Sequence, residues 1–211
     1  MIDIDEVFKL FDRGVICVPV RSGSKYPDYE AMGLTFDKVV RGDRALSRLA
    51  FDSLAFCLSQ HPPGREQLGR WFREHQGNVG IVAGFNGLVV LDLDNAYYYD
   101  RVVDQISRIS KTFPVERTPH GYHLYLRCSR PHPCSSLYLG GRRIGHFSAL
   151  GGFVTCSPSV LADGSSYSWM PGRSLLDCDP VEIECVNQVK LALMHPLRRL
   201  YRLARPHRRS R

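Results

Sequence analysis

The chain has 211 residues, 44% hydrophobic and 23% charged, which supplies enough apolar mass for a buried core and excludes a globally disordered protein. Its longest apolar runs, such as Leu88–Leu91, are strand-length, far short of the ~20 residues that a membrane span needs. The net charge of +7 is local: residues 198–211 hold seven arginines and no acid, which leaves 21 basic against 21 acidic residues and excludes a uniformly basic surface.

In chain order, Asp5–Asp12 carries apolar residues at helical spacing with Gly14 as a stop signal. Val15–Val20 reads as a strand, followed by a loop from Arg21 to Pro27, and residues 28–64 show no clear period. Glu66–His75 predicts a helix with Leu68, Trp71 and Phe72 on one face. Asn78–Ala83 and Leu88–Asp94 are β-rich runs joined at Gly84–Gly87, and the Asn86-Gly87 pair predicts a hairpin between them. A helix over Tyr97–Ile109, a strand over Tyr122–Arg127 and another at Phe153–Cys156 follow. Val181–His195 predicts a helix, and a second begins at Pro196, with Leu197, Leu200, Tyr201 and Ala204 as a stripe opposite the arginines. Strand blocks with helices between them predict an α+β or α/β fold. The seven cysteines are odd in number and irregularly spaced, and most read as buried thiols of a reducing compartment. The acidic start, Met1–Glu6, lacks the charge pattern of a signal peptide, so a soluble cytoplasmic protein without a membrane partner is expected.

Chemistry concentrates in three segments. Asp92-Leu93-Asp94 ends an apolar strand, and alternation puts both carboxylates on one face, about 7 Å apart. Such a pair suits hard divalent cations, although a strand-end Asp pair that only caps a turn reads the same, and so do glycosyltransferases, phosphatases and nucleases. The second segment is Arg117–Leu126, in which His123 alternates with apolar strand residues after Gly121. The third is Gly151–Ser159 with Tyr167-Ser168-Trp169 beyond it, where glycines and small hydroxyls, Ser159 among them, suit phosphate contact or a plain turn. Cys128, His132 and Cys134 cluster, but three candidate ligands at this spacing match no established zinc pattern, so zinc is not expected.

In this order, the Gly23-Ser24-Lys25-Tyr26-Pro27 loop, Trp71-Phe72, Asn78-Val79-Gly80-Ile81, Asp92-Leu93-Asp94, the His123 strand and the Gly151–Trp169 segment resemble the bifunctional primase–polymerase family of the archaeo-eukaryotic primase superfamily. The resemblance covers roughly residues 13–170. It implies an α+β, two-part catalytic core whose second half is an RRM-like unit, with the active site in the cleft between the halves. Residues 1–175 would form that catalytic domain, and 176–211 a helical, Arg-rich extension. It also implies a DNA primase and polymerase of a plasmid or virus replication protein, using NTPs or dNTPs on a single-stranded DNA template. Asp92 and Asp94 would hold Mg²⁺ or Mn²⁺, and His123 would contact the nucleotide's phosphates with Lys25, Arg117 and Ser159. Arg198, Arg199, Arg202 and Arg205 of the tail would bind nucleic acid or a protein partner, and a helicase domain or protein is left open.

One position departs from the family pattern. A third acid is expected eight or so residues before the Gly-Gly-aromatic segment, and here that place falls on His146, with no Asp or Glu anywhere in Pro131–Pro158. Either His146 replaces the ligand, which favours Mn²⁺ over Mg²⁺, or the third ligand is absent, or the chain is a catalytically impaired replication-initiator or nucleic-acid-binding module.

Overall fold

A computed structural model describes residues 2–34 and 53–194 of the chain. The first half holds α1 (Ile4–Asp12), β1 (Ile16–Val20), α2 (residues 53–60), α3 (Arg65–Phe72), β2 (Asn78–Val82) and β3 (Leu88–Leu93). Then come α4 (Tyr99–Ser107), β4 (Val115–Arg117), β5 (Tyr122–Cys128), β6 (Ser135–Leu139), β7 (Arg142–Ser148), β8 (Phe153–Cys156), β9 (Ser168–Trp169), β10 (Val181–Ile183) and α5 (Val186–Met194).

Local chemistry sets the first elements. Asp3 caps α1 by accepting the Asp5 N–H at 3.2 Å, and Asp5 and Glu6 complement the positive end of the helix dipole. At Gly14 a φ of 74° turns the chain into β1. Strands β1, β2 and β8 form an antiparallel sheet in that order. Val7 and Leu10 of α1, Ala55 and Leu58 of α2, and Leu68, Trp71 and Phe72 of α3 bury against Ile16, Val18, Val79 and Ile81.

A second, seven-stranded sheet runs β6-β7-β3-β5-β4-β9, with β10 pairing β5 in parallel. Period-2 alternation divides its two faces. Val89, Leu91 and Leu93 of β3, with Leu124 and Leu126 of β5, bury against Val102 and Ile106 of α4 and Val186, Val189 and Leu193 of α5. Leu88 and Val90, with Tyr125, join the core of the first sheet instead. The protein is therefore mixed α+β with antiparallel sheets.

Two expectations require correction. Strands β2 and β3 are not a hairpin: β2 pairs with β1 and β8, whereas β3 pairs with β5 and β7. Asn86 and Gly87 do take left-handed φ values of 48° and 71°, but the turn carries the chain from one sheet to the other. Both strands are buried along nearly their whole length, so each needs neighbours on two sides and cannot be satisfied by the other alone. Likewise Val181–His195 is not one helix. Val181 and Ile183 are buried around an exposed Glu182, a strand alternation, and the helix starts at Val186. Among the described residues no helix is long and apolar enough to cross a membrane. Of the seven cysteines, Cys17, Cys128 and Cys156 are buried, and burial, with Glu6 adding to it, pushes the Cys17 thiol up to about 12.

Candidate active site

On the face of β3 that carries Leu88 and Val90, the next position is Asp92, where the apolar pattern gives way to a carboxylate. The register places Asp92 opposite His123 on β5 and opposite His146 on β7. Beyond them, Glu116 on β4 lies opposite His123, and Trp169 on β9 lies opposite Glu116. Directly opposed residues share a face, so His146, Asp92, His123, Glu116 and Trp169 form one row across five strands.

The row is tightly coupled. His123 Nδ1 lies 2.8 Å from Glu116 Oε2, and its Nε2 lies 3.6 Å from Asp92 Oδ1. The Glu116 side chain is fully buried, that of His123 is 5% exposed and that of Asp92 is 38% exposed. Glu116 also accepts the Tyr125 hydroxyl at 3.0 Å and the backbone N–H of Ser157, which meets the requirement that a buried carboxylate be hydrogen-bonded. Burial pulls the His123 pKa down, but the hydrogen bond that its ring donates to Glu116 and the charges of Asp92 and Glu116 outweigh burial and the opposing Lys25, so the net shift is upward. Burial, then the charges of Asp92 and Glu116, push the Tyr167 hydroxyl up as well.

A cavity of about 580 Å³ opens over this row, lined by Lys25, Asp92, His123, Arg143, His146 and Tyr167 together with β8 residues of the first sheet. Lys25 reaches it from a loop pinned at both ends. The Asn78 amide donates to the Ser24 and Val160 carbonyls at 3.0 and 2.8 Å, and Gly23 bridges to Leu161. Lys25 Nζ lies 6.0 Å from the centre of the Tyr167 ring. Arg143 is aimed there by a bulge. Leu137 pairs with Gly145 but Tyr138 pairs with Arg143, so Ile144 is an extra residue that turns into the core and swings Arg143 to the cavity. Its Nε lies 3.5 Å from Asp94 Oδ2.

Of the residues expected from sequence, Lys25, Asp92, His123 and His146 therefore meet in one cavity. Asp94 follows β3, is exposed, and touches the cavity wall through Arg143. Arg117 is not brought to it. Glu116 faces the row, so its strand neighbour Arg117 points to the opposite face. Ser159 is also corrected: it is 1% exposed, and its hydroxyl accepts from Val79 N–H and donates to Val79 C=O, both at 3.0 Å. It completes the pairing of β2 where β8 ends and has no hydroxyl left for a nucleotide. Ser159→Ala is accordingly expected to cost about 2 kcal/mol of stability, by orphaning two buried backbone groups, with unchanged nucleotide affinity. Denaturant unfolding alongside a nucleotide titration checks this. Arg198, Arg199, Arg202 and Arg205 lie outside the described residues. Cys128 packs in the second core, whereas Cys134 Sγ accepts the Ala149 N–H at 3.4 Å.

Sequence reasoning missed Glu116, Arg143 and the part Tyr167 plays in the cavity wall. A usable signal existed for Glu116. In Thr118-Pro119-His120-Gly121 the Thr118 N–H donates to Gly121 C=O, and the Gly121 N–H donates to the Thr118 hydroxyl at 3.0 Å. Counting outward from that turn pairs Arg117 with Tyr122 and Glu116 with His123.

Among the described residues no three His, Cys, Asp or Glu side chains converge as a ready-made metal site. Still, Asp92 and Asp94 offer hard carboxylate oxygens that are 38% and 45% exposed, and His146 adds a nitrogen donor beside Asp92. Carboxylate oxygens of this kind suit hard divalent cations such as Mg²⁺ or Mn²⁺. An α+β protein with cations, imidazoles and carboxylates on one cavity wall is equipped to hold a phosphorylated ligand. The chain matches the family model Prim-Pol, bifunctional DNA primase/polymerase, N-terminal, over residues 8–183, and it belongs to that family. Membership indicates a nucleotidyltransferase-type enzyme. No curated protein matches the chain.

Proposed function

We propose that this protein is a template-directed DNA primase and polymerase of a replication protein, which joins a nucleoside triphosphate to a 3′-hydroxyl in the cavity over Asp92. The observation that carries this reading is the row His146–Asp92–His123–Glu116, with Lys25 and Arg143 at its margin. In this reading the seven-stranded sheet with α4 and α5 is the RRM-like half, and the cavity is the site between the halves.

Lys25, Arg143 and His123 supply positive charge and N–H donors for the triphosphate oxygens. Tyr167 offers an aromatic face beside them. Divalent cations held by Asp92, Asp94 and His146, in a two-metal arrangement, would activate the 3′-hydroxyl and shelter the departing pyrophosphate. Fixing nucleotide and primer end on one rigid sheet lowers the entropic part of the barrier. The template is single-stranded DNA, the nucleotides are NTPs or dNTPs, and the protein acts in the cytoplasm, alone or beside a helicase.

The deciding experiment is a primer-synthesis and extension assay on single-stranded DNA, run with Mg²⁺ and with Mn²⁺. Metal-dependent incorporation supports the enzyme. The histidine at the place of the third acid favours a second reading, a replication module that binds nucleic acid without turnover, and template binding with no incorporation under either metal would select it.

Removing residues 198–211 tests the tail. Its seven arginines, if all touch phosphate, contribute up to about 5 to the slope of log affinity against log salt for a single strand. The truncated chain is therefore expected to bind single-stranded DNA more weakly and with a flatter salt dependence. An unchanged slope would assign the arginines to a protein partner.

A further inference from the structure

We propose that Glu116 is a positioning residue for nucleotide binding: it holds the His123 ring with Nδ1 turned inward, so that Nε2 is presented to the cavity beside Asp92. This rests on the reading of that cavity as a nucleotide site.

A histidine ring on a strand can rotate about χ2, which exchanges the direction in which its two nitrogens point. At His123 that freedom is removed. Nδ1 lies 2.8 Å from Glu116 Oε2, and Glu116 is itself fixed by the Tyr125 hydroxyl and the Ser157 N–H. Glu116 is 0% exposed and Tyr125 is 0% exposed, so water does not compete for these bonds. Both Glu116 oxygens already act as acceptors, Oε1 from the Ser157 N–H and Oε2 from the Tyr125 hydroxyl, so Nδ1 meets Oε2 as a donor, with its proton directed toward Glu116. Nε2 is left as the ring's functional face, 3.6 Å from Asp92 Oδ1. Packing reinforces the pose: the Tyr167 ring lies 5.9 Å away at 32°, and Tyr125 meets His123 edge-on at 6.3 Å. Outer partners of this kind orient a site-facing histidine without touching the ligand.

A purely structural role would look similar in a static view, because Glu116 also ties β4 to Ser157 beyond β8. The two roles separate in a double-mutant cycle read by binding. The probe is an α,β-methylene nucleoside triphosphate, which binds without being incorporated, titrated calorimetrically in the presence of Mn²⁺. Glu116→Gln keeps the shape but replaces one acceptor oxygen with a donor. It is expected to weaken binding about tenfold in the otherwise unaltered protein and by no more than about twofold in a His123→Ala background. Equal losses in both backgrounds would make Glu116 structural and overturn the proposal. A second measurement needs no substitution: ¹⁵N–¹H correlation of the imidazoles should show the His123 Nδ1–H bonded and protected from solvent exchange. A ring lacking that proton would overturn the proposal equally. Failure of the unaltered protein to bind the analogue would overturn the nucleotide site itself and this assignment with it. Binding that ignores Glu116 would remove the assignment alone.

Discussion

Nucleotide incorporation is expected to fall by about a thousandfold or more when Asp92 is replaced by alanine, in a protein that folds as before. Asp92 is the central member of the row, flanked by His123 and His146 on the neighbouring strands. Its removal deletes the negative charge around which both imidazoles are arranged, together with a cation ligand. A loss of about 4 kcal/mol in transition-state stabilisation corresponds to that factor. The fold should be spared. The side chain is 38% exposed, whereas the packing of β3 comes from Leu88, Val90, Leu91 and Leu93, each 0% exposed. A change within roughly 0.5 kcal/mol is expected for such a surface position. Asp94→Ala should act in the same direction, because it frees Arg143 and removes the second carboxylate. Primer extension combined with a thermal melt makes the check, and an Asp92→Ala variant with an unaltered rate would remove Asp92 from the reaction.

How much of this was legible in the sequence depended on whether the signal was local. Elements with their own period or stop signal could be read closely: α1 from its apolar spacing and Gly14, α3 from Leu68, Trp71 and Phe72, and β3 from its apolar run into Asp92. Pairing could not be read in this way. The Asn86-Gly87 turn has the backbone of a hairpin turn, yet its flanking strands enter different sheets because both are buried from two sides. The β6–β7 hairpin went unread, although Gly140 and Gly141 take φ values of 58° and 78° between its strands. Its residues are too mixed to show a clean alternation.

At the site, Asp92, His123 and His146 held together because they share one face of one sheet, where residue parity decides, and Lys25 joins them from the loop after β1. The same parity excludes Arg117 and admits Glu116 one residue earlier. Ser159 failed for another reason: a small hydroxyl near glycines suits either a phosphate or an unpaired strand backbone, and here Val79 claims it. Arg143 depended on a bulge, which inserts a residue and inverts parity without leaving a mark in composition.

The second large effect concerns the metal. His146 stands directly across from Asp92 in the β3–β7 ladder, and opposed residues in such a ladder have Cβ atoms about 5 Å apart. An imidazole at that distance gives a mixed nitrogen and oxygen site with one less negative charge than three carboxylates. Mg²⁺ favours oxygen donors, whereas Mn²⁺ accepts imidazole more readily. Incorporation is therefore expected to be at least about tenfold faster with Mn²⁺ than with Mg²⁺, and His146→Asp should move the preference toward Mg²⁺. The substitution also has a consequence without turnover. Two carboxylates directly opposed across a strand pair repel, at a cost of up to about 1 kcal/mol in the metal-free protein. A bound cation would relieve that repulsion and stabilise the folded state by mass action. The melting temperature of His146→Asp should thus start below that of the unaltered protein and rise more steeply with added Mg²⁺. If His146→Ala leaves both the metal preference and the rate unaltered, the ring is structural, and the third ligand must come from substrate phosphate, water or another carboxylate of the chain.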